Sequence, residues 1–215
     1  GEQLPEQPGI CNGNIVPDEV AGERMTVFAS HDHRDHLSPA IYEWNGAVKD
    51  LAYVFGCRAE GDGVPPYEQM EPRQTRKVHG VKITTIQSTD SGVGFLVEAD
   101  GMTIFHAGDH ANGMCSGVCS FRDEIDWLAA KGVRPDILMM PIRGCGLGDP
   151  DSVKAGVDYA IETLRPFAFV PMHAVDAENT LREFVEERAD RFPETRMYSP
   201  EHRGDRFRYE KGKIS

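Results

Sequence analysis

The segment SHDHRDHLSP, residues 30 to 39, places three histidines and two aspartates in the six positions from His31 to His36. It follows directly on an apolar run, RMTVFAS, residues 24–30. Imidazoles and carboxylates crowded at the end of a strand are the donor groups of a metal site. The alternative is a charged surface turn with incidental histidines. With eight histidines in 215 residues, three within six positions is a poor match to chance. In an extended chain residues i and i+2 point to one side, so His31 and His33 can grip the same ion. A turn after Arg34 lets Asp35 and His36 face that cavity from another angle. Such an ion acidifies water and so suits hydrolysis at neutral pH.

The elements that must position these groups follow from hydropathy patterning. Residues 1–22 read as irregular, and 24–30 as a strand. Residues 38–49 read as a short helix with Ser38 as cap and Pro39 at its first position. Strands are expected over 51–56, 81–88, 93–100 and 102–109, with Asp100-Gly101 as a hairpin turn between the last two. Residues 61–77 read as loop. Then come a helix over 121–131, a strand over 137–142, a helix over 151–164, a strand over 167–174, a helix over 177–191 and a terminal hairpin-like pair, MYSP with DRFRYEKGK. Antiparallel strands followed by alternating strands and helices predict an α/β domain, two packed sheets with helices outside, spanning 1–215. Polar groups collect at strand ends, at Gly108-Asp109, Arg143-Gly144-Cys145 and Met172-His173, where sites are commonly built.

At this point the sequence resembles a known superfamily. His31-x-His33-x-Asp35-His36 after an apolar strand is similar to the metal signature of the metallo-β-lactamase-fold hydrolases. GFLVEADGMTIFHAGD, 94–109, resembles that family's strand pair ending in Gly-Asp, and FAFVPMHA, 167–174, its late strand carrying a last histidine. The nearest likeness is to the L-ascorbate-6-phosphate lactonase-like branch of metal-dependent hydrolases. The resemblance implies an αββα four-layer sandwich, lacking its first strands because only about 30 residues precede the histidine motif. It also implies one ion on His31, His33 and Asp109 and a second on Asp35, His36, Asp109 and His173, with Asp35 orienting the nucleophile or taking its proton. Zinc is the expected ion, with manganese or iron as alternatives, and the count is one or two.

One departure bears on that count. Where many members carry a further histidine, this chain has Ser88, a poor ligand. Asp90 can replace the missing imidazole, and His110 or His106 could swing in from the Gly-Asp loop. His106 is otherwise expected to orient a neighbouring ligand. Arg143 is the nearest cation for an anionic substrate, and Cys145 lies in a glycine-rich loop on the same edge. The Cys115–Cys119 spacing is a weak candidate for a metal clip or disulfide. GLGDPDS lacks a P-loop ending, Arg203-Gly204-Asp205 reads as a turn, and His79 and His202 as surface residues.

The expected activity is therefore hydrolysis of an ester, lactone, amide or phosphodiester bond in a small molecule. A metal-binding or ligand-sensing module without catalysis is the alternative that Ser88 motivates. A di-iron redox enzyme is less favoured, since there the second motif position is typically glutamate and here it is His33. A net charge of -12 and pI near 5.1 argue against nucleic acid and anionic membranes as partners. No apolar run approaches the roughly 18 residues that span a bilayer. The N-terminus reads as carrying no signal peptide, and without an initiator Met it leaves room for a removed upstream segment. Five cysteines cannot all pair, so a reducing, cytoplasmic setting is expected.

Overall fold

The computed structural model describes residues 7–113, 120–144, 146–174, 177–210 and 213–214. After a short helix α1 (Pro17–Val20), strands β1 (Arg24–Ala29), β2 (Asp50–Phe55) and β3 (Glu68–Gln69) form a small parallel sheet. A larger sheet of seven strands follows: β4 (Thr75–Val78), β5 (Val81–Gln87), β6 (Val93–Ala99), β7 (Met102–His106), β8 (Ile137–Pro141), β9 (Ala168–Met172) and β10 (Arg196–Met197). Its spatial order is β10-β9-β8-β7-β6-β5-β4. β4 to β7 pair antiparallel through tight turns. β7 to β10 pair parallel, which requires crossovers. Helices α2 (Phe121–Ala130), α3 (Pro150–Leu164) and α4 (Asn179–Arg188) supply them. A two-stranded hairpin, β11 (Tyr209–Glu210) with β12 (Lys213–Ile214), ends the chain.

Alternation along the strands decides which surface each residue covers. Phe105, Leu96, Leu138 and Phe169 face outward and meet α2, α3 and α4 through Ile125, Leu128, Ile161 and Phe184. Val93 and Phe95 face inward and meet Val54 and Phe28 of the small sheet. Val27, Tyr53 and Phe55 look out from the small sheet's other face, against Tyr42 and Leu37. The starts of α2 and α3 carry their own caps: Ser120 accepts from the Asp123 N–H, and Asp149 from the Ser152 N–H at 2.9 Å. Among the described residues no helix is long and apolar enough to cross a membrane.

Three expectations are corrected. Residues 38–49 form only a 3₁₀ turn, Pro39–Trp44. Ser38 caps it, but Asn45 is extended, with ψ 114°, and Gly46 at φ 91° turns the chain away. MYSP does not pair with DRFRYEKGK. β10 instead extends the large sheet beside β9, whose edge would otherwise carry unpaired backbone groups. The loop expected over 61–77 contributes β3 and the start of β4.

Phe105 is fully buried between the large sheet and its helices. Phe105→Ala is expected to lower unfolding free energy by about 3–5 kcal/mol, measured by urea denaturation.

Candidate metal centre

Ser30 to His36 leave the end of β1 where the two sheets meet. The Ser30 carbonyl accepts the Val93 N–H at 3.1 Å, tying the motif to β6. That approach is close enough to require glycine: a Cβ on Gly92, at φ +63°, would stand 2.0 Å from the Ser30 oxygen. β7 stops at His106 rather than at Asp109, because Ala107-Gly108-Asp109 turns over Ser30 with Gly108 at φ +58°. β9 delivers His173, itself at φ 64°, and its Nδ1 faces the Arg143 carbonyl at 3.1 Å.

These four segments converge in two donor groups, His31 with His33, Asp90 and Asp109, and Asp35 with His36 and His173. Asp109 Oδ2 touches both, at 3.8 Å from His31 Nε2, 3.3 Å from His36 Nε2 and 3.4 Å from His173 Nε2. Asp90 Oδ2 lies 3.3 Å from His33 Nδ1 and 3.8 Å from His31 Nε2. Asp35 Oδ2 lies 3.6 Å from His36 Nε2 and 3.5 Å from His173 Nε2.

Electrostatics poise the same atoms. Burial, with the neighbouring imidazoles His36 and His33, pushes His31 down to about 4, so it is neutral with a free lone pair. Burial would push the Asp109 carboxyl up, but the His173 and His36 imidazoles beside it hold it well below the usual range. The Asp109 carboxylate in turn pushes His173 up to about 9 against burial. Neither His36 Nε2 nor Asp109 Oδ1, both buried, has a hydrogen-bond partner among the described residues. Buried polar atoms are seldom left so, and a shared cation would satisfy them. The donor set of neutral imidazoles and ionised carboxylates fits a divalent metal.

No family model matches the sequence. A UPF0173 metal-dependent hydrolase of Heliobacterium modesticaldum is 30% identical over 175 residues, covering 74% of this chain and 68% of the relative. Another, from Nitratidesulfovibrio vulgaris, is 30% identical over 195 residues, covering 80% and 73%. This chain belongs to the UPF0173 metal-dependent hydrolases. A solved relative in fold, the metallo-β-lactamase-fold protein YhfI of Bacillus subtilis, superposes with a TM-score of 0.54 at 9% identity, covering 81% of this chain and 75% of YhfI. The fold is that of the metallo-β-lactamase superfamily, with a 3₁₀ turn where a helix would cover the small sheet.

Within this UPF0173 chain the remaining candidates separate by geometry. Ser88 is buried, and its hydroxyl accepts the Asp90 N–H at 3.3 Å, so it braces the turn that carries Asp90. His106 Nδ1 accepts the Gly108 N–H at 3.1 Å and steadies the turn before Asp109. His110 does not enter the cluster. It stacks on Phe121, its Nε2 lies 3.2 Å from the Phe121 carbonyl, and burial pushes it down to about 4. Arg143 contributes its carbonyl to His173, with its exposed side chain at the rim. Cys115, Cys119 and Cys145 lie outside the described residues.

Ser30 escapes a reading based on ligand types. Its Oγ lies 2.9 Å from His31 Nδ1 and 3.4 Å from His36 Nδ1. Accepting from both fixes the tautomers that leave each Nε2 free to face the centre. Its place directly before the histidine motif was the only available signal.

His173 gives the pH dependence its sign. In chelator-treated protein its raised value contributes stability that is complete below 6.5 and lost as pH climbs through about 9. Asp109, held low, contributes above 3.8 and loses that on acidification. The urea midpoint of chelated protein is expected to fall between pH 6.5 and 9.5, and His173→Gln to flatten that fall.

Proposed function

We propose that this chain hydrolyses an ester, lactone, amide or phosphodiester bond of a small molecule with two divalent ions sharing Asp109. One ion would be held by His31, His33, Asp90 and Asp109, the other by Asp35, His36, His173 and Asp109. The observation that carries this reading is the position of Asp90, which gives each half two imidazoles and two carboxylates. That set suits zinc, and its carboxylate share admits manganese or iron. When bound, the ions lower the pKa of water toward neutrality and polarise the oxygen under attack.

The protein's own groups do the rest. Asp35 is the exposed carboxylate of the cluster, with 57% of its side chain accessible, so it can meet the attacking water and accept its proton. Ser30 and the Arg143 carbonyl hold three imidazoles in fixed tautomers, which avoids reorganisation during the reaction. The Arg143 guanidinium at the rim can hold a carboxylate or phosphate of the substrate or product.

Metal analysis tests the ligand assignment. Asp90→Ala is expected to retain its circular-dichroism spectrum while losing about one ion per chain. Asp35→Asn is expected to lower kcat on a responsive ester, lactone or phosphodiester roughly 10²–10⁴-fold. Unchanged metal content and turnover in both His31→Ala and His173→Ala would sink the reading.

A further inference from the structure

The inward face of the large sheet is only partly covered. By strand register Phe95, His106 and Met139 lie side by side across β6, β7 and β8, with Val97 and Ile104 next to them. Phe28 of β1 closes over Phe95, ring centroids 5.2 Å apart. Past that contact a cavity of about 380 Å³ remains, walled by Phe28, Phe95, Val97, Ile104 and Met139. Asp35 and His36 line it as well, two members of the second donor group. The apolar cavity and the metal centre are thus one continuous space.

We infer that this cavity receives an uncharged hydrocarbon arm of the substrate, making medium-chain carboxylic esters the substrate class. The inference rests on the hydrolase reading above and extends it from bond type to the group beside the bond. Three features support it. Away from Asp35 and His36, the lining among the described residues carries no carboxylate, lysine or arginine, so a charged or sugar-like arm would lose its hydration there without replacement. The volume is more than twice the roughly 150 Å³ that accommodates a benzene ring, enough for a chain of about six to ten carbons. Met139 adds an adaptable surface that tolerates chains of differing shape. His106 supplies a donor of fixed tautomer in the lining: its Nδ1 is occupied by the Gly108 N–H, so Nε2 carries the proton and can meet an acyl oxygen. With the arm so placed, water adds across the acyl C–O bond beside Asp35. The products are an alcohol and a carboxylic acid, which ionises and releases one proton.

The test is calorimetric titration of zinc-loaded protein with straight-chain alkanoates from acetate to decanoate, alongside kcat/KM for the matching p-nitrophenyl esters. Kd is expected to fall roughly fourfold per added methylene, the burial of one CH₂, until the cavity fills. Ile104→Trp, with metal content checked, is expected to bring that plateau to a shorter chain. A Kd independent of chain length in the wild-type protein overturns the inference, whatever the variant does, and leaves hydrolysis of short esters to stand or fall separately. Length-dependent binding without turnover of any ester supports the cavity's role and counts against the hydrolase reading instead.

Discussion

The Asp109 carboxylate, drawn between three imidazoles from two chain segments, is the interaction around which the rest of this structure is arranged. One oxygen lies within 3.8 Å of His31, His36 and His173, and the other is buried without a hydrogen-bond partner among the described residues. An isolated buried carboxylate would be costly. Here its neighbours hold it ionised, and it holds His173 protonatable well above the ordinary range. Such a group is stable only with positive charge beside it, supplied by protons or by metal ions. Proton and metal therefore compete for the same atoms, and metal affinity should rise with pH across the range in which His173 gives up its proton.

Keeping that carboxylate in place dictates backbone choices that are otherwise unexplained. Gly92 and Gly108 both adopt positive φ against Ser30, because the ends of β1, β6 and β7 must come within backbone contact. Ser30 then serves both sheets: its carbonyl accepts from Val93, and its hydroxyl steadies two imidazoles. The two ends of the His31–His36 loop are anchored through Ser30 before any ligand is considered, which favours a site that reorganises little in use. The opposite side of the same junction is where the small sheet ends over β6, and the apolar cavity opens there.

Much of this was legible in the sequence. The strand-end placement of HDHRDH, Gly-Asp and Met-His depends on hydropathy and turn chemistry, which are local. Asp90 stood out because Ser88 occupies a slot where an imidazole was wanted. Side-chain direction in loops was not legible. His110 follows Asp109 directly, yet it is buried on Phe121, since a tight turn sends successive residues to opposite sides. His173 reaches the cluster only through a left-handed backbone that a histidine seldom adopts. The 38–49 helix stops where Asn45 turns extended and Gly46 takes φ 91°. Where the small sheet stops is a property of two sheets together.

The central claim is that two ions share Asp109. Electron paramagnetic resonance of protein loaded stepwise with manganese(II) tests it most directly. Ions bridged by one carboxylate sit roughly 3.5–4 Å apart. Two equivalents are expected to bind per chain, with conversion of the isolated-ion spectrum to an exchange-coupled one at the second. Saturation at one equivalent, or two equivalents with uncoupled spectra, would contradict it.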